Sequence, residues 1–290
     1  MSLPKKLPFV KMQGAGNDFV MLDGRYGLPA EFHSRIPALC DRRYGIGADG
    51  VIVLEASRSA EYKMVYYNAD GSETICGNGM RCTAKFIHDL GLLPPETREF
   101  ELETLKGAVQ VRLFGRGEKV AVSMGIPIFE GDRIPTAKSG HFVNQPLEVG
   151  NQQITLTAVG MGNPHCVIFV DDLFKVDVEG LGRSLEYHPF FPERTNVEFV
   201  KVLNRGRIQM RVWERGVGET LACGTGICAA VAASATIGKT ERHVVVDARG
   251  GELEAIWDSK SDIIKLAGPA ESVFSGEIDL STAGIQKQLF

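Results

Sequence analysis

Thr74-Ile75-Cys76-Gly77-Asn78-Gly79 and Leu221-Ala222-Cys223-Gly224-Thr225-Gly226 are near-copies of one another. Each sets a thiol on a Cys-Gly-x-Gly turn that opens a helix-like run. The two cysteines are 147 residues apart in a chain of 290. Further matches follow at an offset of 146: Gly16-Asn17 with Gly162-Asn163, Gly50-Val51-Ile52-Val53 with Asn196-Val197-Glu198-Phe199, and Asn68 with Glu214. Matches in one order at one offset imply a diverged internal duplication, two lobes of similar fold with a site between them. Thiols in mirrored settings imply chemistry on both faces of one atom, as the inversion of a stereocentre requires.

Composition excludes other classes. Hydrophobic content of 44% and charged content of 23% are those of a globular protein, and 290 residues suffice for two domains with their own cores. The net charge of −4 offers no basic field for nucleic acid. No apolar run approaches the ~18 residues of a membrane span. Met1 to Phe9 carries two lysines and no apolar core, so it reads as no secretory signal and the chain as cytoplasmic. In that compartment the six cysteines are expected as free thiols. Cys76/Cys82 and Cys223/Cys228 are separated by five and four residues, and the second of each pair falls inside a predicted helix. That does not suit structural zinc, so no metal is expected. Cys40, Cys82, Cys166 and Cys228 read as small core residues.

The pattern along the chain predicts strand, glycine turn and strand over Phe9 to Leu22, then a helix over Ala30 to Asp41. Strands are expected at Val51 to Leu54 and Tyr62 to Asn68, and a helix over Gly79 to Leu90, stopped by Gly91. Phe100 to Leu105, Ala108 to Leu113 and Lys119 to Met124 read as a meander. Gly125 to Gly150, rich in Pro, Gly and polar residues, reads as the crossover between lobes. Strands at Gln153 to Val159 and Cys166 to Val170, a short helix at Gly180 to Leu185, and strands at Asn196 to Val202 and Arg207 to Glu214 repeat the theme. The run Gly226 to Ile237 is helical and apolar nearly all round, so it should be enclosed. Strands follow at Val244 to Ala248, Glu252 to Trp257 and Ile263 to Ala267. The expected fold is α+β: two pseudo-symmetric lobes, each a curled, mostly antiparallel sheet around a central helix, with the active site in the cleft between them. The lobes are expected at residues 1–128, completed by a returning tail at 269–290, and at 129–268.

A helix N-terminus carries unpaired N–H groups and partial positive charge. Backbone N–H groups of Gly77, Asn78, Gly224 and Thr225 could hold a carboxylate, the glycines letting it approach bare backbone. The same field lowers a thiol pKa, so one cysteine is expected as thiolate beside a partner thiol. One thiolate then takes a proton alpha to the carboxylate from one face while the opposite thiol delivers a proton to the other.

Longer motifs carry a resemblance. Gly14-Ala15-Gly16-Asn17-Asp18-Phe19, Tyr67-Asn68-Ala69-Asp70-Gly71-Ser72 with Cys76-Gly77-Asn78-Gly79-Met80-Arg81-Cys82, Gly162-Asn163-Pro164-His165, Thr195-Asn196-Val197-Glu198-Phe199, and Trp213 to Gly226 are similar to the signatures of diaminopimelate epimerases, pyridoxal-independent enzymes of lysine biosynthesis. The resemblance covers essentially the whole chain. It implies that Cys76 and Cys223 are the acid/base pair and that no cofactor is needed. It implies that Asn17, Asn68, Asn163, Asn196 and Arg215 bind the substrate's amino and carboxylate groups, and that His165 and Glu214 adjust the cysteines and the reacting ammonium. Amides that both donate and accept suit a zwitterionic substrate, and arginine grips a carboxylate with two bonds. Relatives are often dimers, which implies a homodimer. Gly50 departs from the pattern, since some relatives carry a substrate-contacting glutamine there.

Two rivals share features. Gly45-Ile46-Gly47-Ala48-Asp49-Gly50 fits the dinucleotide fingerprint, which should follow a strand and open a helix. Here no strand precedes it and a strand follows. Proline racemase-like and hydroxyproline epimerase-like enzymes have a similar cysteine pair. The proline racemase family tends to carry histidine after the first Cys-Gly, where this chain has Asn78.

Overall fold

The computed structural model describes residues 6–280. The start of the N-terminal segment and the end of the tail discussed above lie outside the described residues. One order of elements runs through each half of the chain. The first half holds β1 (Lys6–Gly14), β2 (Asn17–Asp23), α1 (Phe32–Cys40), β3 (Gly50–Ala56), β4 (Tyr62–Asn68), β5 (Glu73–Thr74), α2 (Gly77–Asp89), β6 (Glu99–Thr104), β7 (Gly107–Phe114) and β8 (Lys119–Gly125). The second holds β9 (Gln145–Val149), β10 (Gln152–Gly160), β11 (Pro164–Phe169), α3 (Val178–Glu186), β12 (Asn196–Asn204), β13 (Arg207–Glu214), β14 (Gly218–Thr220), α4 (Gly224–Thr236), β15 (His243–Ala248), β16 (Gly251–Trp257) and β17 (Ile264–Pro269). A last strand, β18 (Glu271–Asp279), ends the described chain. Two compact units result: the described residues up to Val122 together with those from Pro269, and Ser123–Gly268.

The strand registers repeat as well. In the first unit β2 runs parallel to β3 with Phe19 opposite Gly50, β3 antiparallel to β4 with Gly50 opposite Asn68, and β4 antiparallel to β5 with Tyr66 opposite Thr74. In the second, β11 runs parallel to β12 with His165 opposite Asn196. There β12 is antiparallel to β13, and β13 is antiparallel to β14 with Val212 opposite Thr220. Phe19–Gly50 and His165–Asn196 are thus one pair displaced along the chain, as are Tyr66–Thr74 and Val212–Thr220. The parallel pairings of β4 with β6 and of β13 with β15 repeat too.

Alternation along the strands decides what each face covers. Val20, Leu22, Val51, Val53 and Val65 pack with Phe32, Ile36 and Leu39 of α1. Their neighbours Phe19, Met21, Ile52, Leu54, Met64 and Tyr66 are also buried, on the opposite face, where α2 packs on β2, β3 and β4. In the second unit Ala158, Cys166, Ile168, Val197 and Phe199 pack with Val178 and Leu185 of α3, and α4 packs on β10, β11 and β12. Gly226 to Ser234 of α4 are all buried, as a helix apolar on every side requires.

Four strands lie outside the sequence expectation, among them the short β5 and β14. Part of Gly125 to Gly150, read as the crossover between lobes, is β9, which pairs antiparallel with β10 across a turn at Gly150. It is five residues long and holds Pro146, and proline is tolerated in edge strands, so its pattern is weak. β18 pairs with β1 from Lys6–Asp279 to Gln13–Glu271, although five consecutive residues of it are exposed.

Phe199 is fully buried at the centre of the α3-facing core. Phe199→Ala is expected to cost about 3–5 kcal/mol, read as a lower guanidinium midpoint with an unchanged slope.

Candidate active site

Each cysteine is the N-cap of a helix. Cys76 takes φ −146°, ψ 122° before α2, and Cys223 takes φ −118°, ψ 115° before α4. Their carbonyls accept the first helical bonds, from Met80 N and Ile227 N, both at 2.9 Å. The N–H groups of Gly77, Asn78, Gly224 and Thr225 stand at the two helix starts. Gly79 and Gly226, each third in its helix, lie against the sheet. A Cβ on Gly79 would be 2.8 Å from Ile52 Cδ1, and one on Gly226 2.6 Å from Glu198 Oε1.

In the first unit Cys76 Sγ donates to Asn17 Oδ1 at 3.3 Å, and Asn78 Nδ2 donates to the same oxygen at 3.3 Å. Asn17 Nδ2 donates to Asp49 Oδ2 at 2.6 Å. Asp49 is gripped by Arg42 at 2.8 Å, and Arg42 and the buried Lys11 both pair with Asp18 at 2.7 Å. Burial alone would raise the Asp18 pKa, but the Arg42 and Lys11 bonds outweigh it and hold the carboxyl well below its usual range. Asn78 is 4% exposed, and its Oδ1 has no partner among the described residues. Asn68, at the end of β4, donates to Ser72 Oγ at 3.0 Å.

The second unit surrounds its cysteine differently. His165 and Glu198 are fully buried and bonded at 2.7 Å between Nδ1 and Oε1, while His165 Nε2 lies 2.9 Å from Asn163 Oδ1. Thr220 Oγ1 donates to Glu214 Oε1 at 2.5 Å, and Cys223 Sγ lies 3.4 Å from Thr225 Oγ1. Asn196 donates to Pro164 O at 2.9 Å and accepts from Arg215 N at 3.0 Å, so both ends of its amide hold backbone. Arg215 is exposed and donates to Glu193 O at 2.9 Å. Its turn is anchored by the buried Glu186, which accepts from Trp213 Nε1 and Gly216 N.

The model of the family described as diaminopimelate epimerase matches residues 9–130 and 157–273. The chain belongs to this family. It is 45% identical over 278 residues to the diaminopimelate epimerase of Moorella thermoacetica, covering 94% of this chain and 99% of that one. It is 45% identical over 282 residues to the diaminopimelate epimerase of Leptospira biflexa, covering 95% and 100%. The fold is that of a wider group of solved structures. A Bacillus anthracis phenazine biosynthesis protein of the PhzF family superposes with TM-score 0.68 at 18% identity, covering 95% of this chain and 99% of that one. A hydroxyproline epimerase from Agrobacterium vitis, with bound trans-4-hydroxy-L-proline, superposes with TM-score 0.68 at 14% identity, covering 98% and 96%. As a member of an epimerase family the chain is an isomerase.

Several residues that hold the candidate site residues escaped sequence reasoning. Glu198, Asp49 and Glu186 are long-range partners of site residues and carry no local signal, although Glu198 sits in the quoted Asn196-Val197-Glu198-Phe199 match. The dinucleotide-like Gly45 to Gly50 segment lies between α1 and β3 and wraps the end of α1. Gly45, Ile46, Gly47, Ala48 and Asp49 N–H groups all donate to carbonyls, of Asp41, Leu39, Leu39, Cys40 and Asp18. None of these five is left for a pyrophosphate. Cys82 and Cys228 are fully buried inside their helices, and burial pushes Cys40 up to about 11 and Cys82 up to about 12. These thiols fill core space, as expected.

The sequence leaves open which cysteine is thiolate and which is thiol. The pKa of Cys223 is raised well above the usual thiol value, against the pull of the helix N-terminus. Burial is the largest cause, followed by the charges of Glu214 and Glu198; the Thr225 and Gly226 hydrogen bonds oppose them. Cys223 is therefore a thiol at neutral pH in the free protein. Its alkylation by iodoacetamide, followed by peptide mass spectrometry, is expected to rise only in the alkaline range, and Glu214→Gln is expected to bring that rise to lower pH. A rate already level at pH 7 would contradict this.

Proposed function

We propose that this chain interconverts LL- and meso-2,6-diaminopimelate by cofactor-free proton transfer at the α-carbon, with Cys76 and Cys223 serving opposite faces of that carbon. The observation that carries the reading is the matched pair of N-cap cysteines, one in each copy of a duplicated unit. Two such helix starts supply what the reaction needs in duplicate: a sulfur for the proton, and N–H groups for the charge that grows on the carboxylate.

In the forward direction Cys76 S–H first gives its proton to water as the site fills, and the resulting thiolate takes the α-proton. The electron pair left on carbon is delocalised into the carboxylate and stabilised by the N–H groups of the helix starts. The Cys223 S–H then gives its proton to the opposite face. The cycle ends with Cys76 as thiol and Cys223 as thiolate, the starting state for the reverse substrate. The carboxylates that hold Cys223 as a thiol suit it to begin as the acid. The unpartnered Asn78 Oδ1 is suited to accept from a substrate ammonium. Asn17, Asn68, Asn163, Asn196 and Arg215 complete the binding set, with His165 and Glu214 adjusting Cys223. The same reading makes the enzyme cytoplasmic and homodimeric, with a small-molecule substrate and no nucleic-acid or membrane partner.

Proton NMR of LL-diaminopimelate in D2O with wild type, Cys76→Ser and Cys223→Ser, and no added cofactor, tests this. Wild type is expected to place deuterium at one α-carbon and form the meso isomer. Each variant should lose about 10²–10⁴-fold in rate. No exchange by wild type, or faster exchange on L-proline or 4-hydroxyproline, would overturn the substrate assignment.

A further inference from the structure

The two copies diverge sharply at Gly50. Its counterpart in the second unit, by strand register, is Asn196. Gly50 has no side chain, and the structure leaves no room for one: a Cβ there would lie 2.3 Å from the Tyr67 carbonyl oxygen, 2.5 Å from Tyr66 Cε2 and 3.0 Å from Tyr66 Oη. Tyr66 fills the space, and its own counterpart is the smaller Val212. Bulk has moved from β3 to β4, so that a phenol stands where the second copy places an amide.

The surroundings of that phenol are those of the site. Tyr66 lies on the α2-facing side of β4, the side of Asn68 two residues on. It is opposite Thr74, two residues before Cys76. Its ring packs edge-on against Phe19 at 5.6 Å, two residues after Asn17, and Phe19 in turn lies beneath Gly79. The residue is 6% exposed.

What distinguishes Tyr66 from Asn196 is its hydrogen bonding. Asn196 holds backbone with both ends of its amide. Tyr66 Oη makes no hydrogen bond among the described residues, and it is not one of the polar atoms that burial seals from water without a partner. A largely buried phenol normally has a partner. One with no protein partner, and not sealed from water, finds it in water or ligand. Burial, then the nearby charges of Cys76 and Asp49, raises its pKa and keeps it a donor.

We propose that Tyr66 is a substrate-binding residue of this enzyme, its O–H donating to a carboxylate oxygen of the amino-acid substrate held at the start of α2. The assignment rests on the epimerase reading above and adds to it a contact made from the strand beneath the helix.

Tyr66→Phe removes only the hydroxyl. Steady-state kinetics with LL-diaminopimelate are expected to show KM raised about tenfold, the scale of one hydrogen bond to a charged group, with kcat within about twofold, as for binding shared by ground and transition states. The melting temperature is expected to stay within about 1 °C, because no protein partner is lost. Unchanged KM beside an active wild type would overturn this assignment alone. A raised KM with a clearly lowered melting temperature would also overturn it, since the hydroxyl would then be structural. A wild type that exchanges no deuterium would remove the epimerase reading and this contact with it.

Discussion

Neither cysteine-capped helix has room for a side chain at its third residue. Gly79 is pressed on Ile52 and Gly226 on Glu198, so each helix start sits directly on a strand. The thiol at the cap, the first-turn N–H groups and the side chains rising from the sheet beneath are thereby fixed against one another. Asn17 reaches Cys76 and Asn78 only because α2 lies this close to the ends of β2 and β3. Any larger residue would lift the helix and break those bonds together. The proposed reaction, with N–H groups aimed at developing charge, requires such fixed distances.

On this common frame the two copies place different chemistry. Beneath Gly79 is Ile52, and beneath Gly226 is Glu198. Asn68 corresponds to Glu214, and Phe19 to His165. The first unit thus offers uncharged groups at the three positions where the second offers two carboxylates and an imidazole. Two identical halves would present two identical thiols, whereas proton transfer through a pair needs an acid and a base at the outset. Under the proposed mechanism divergence after duplication supplies the acid: burial and two carboxylates hold the proton on Cys223.

The parts legible in the sequence were those with local signals. Cys-Gly-x-Gly at the two helix starts, the offset between copies and the apolar α4 all follow from spacing and composition, and the structure places them as read. The parts not legible depend on contacts distant in sequence. β9 is short and interrupted by Pro146. The bonds of Glu198 to His165 and of Asp49 to Asn17 join residues 33 and 32 apart. Which cysteine keeps its proton was not legible, because a helix N-terminus can be read from sequence, while the burial and the carboxylates behind it cannot. Local rules fix where the thiol stands, and tertiary contacts fix whether it is charged.

The Gly45 to Gly50 loop shows how a segment without chemistry of its own serves the site. Its N–H groups tie down the end of α1, and Lys11 donates to the Gly47 carbonyl from beneath. So held, the loop delivers Asp49 to Asn17. A carboxylate only accepts, so Asn17 must turn its NH2 toward Asp49 and its oxygen toward Cys76. Were Asp49 replaced by a donor, the amide could turn over and face the sulfur with N–H groups. The orientation of one amide, and with it the polarity presented to the Cys76 sulfur, is thus set by a loop whose sequence resembles a nucleotide-binding turn. Arg42 and Lys11 make the arrangement tenable by neutralising the two carboxylates it brings together.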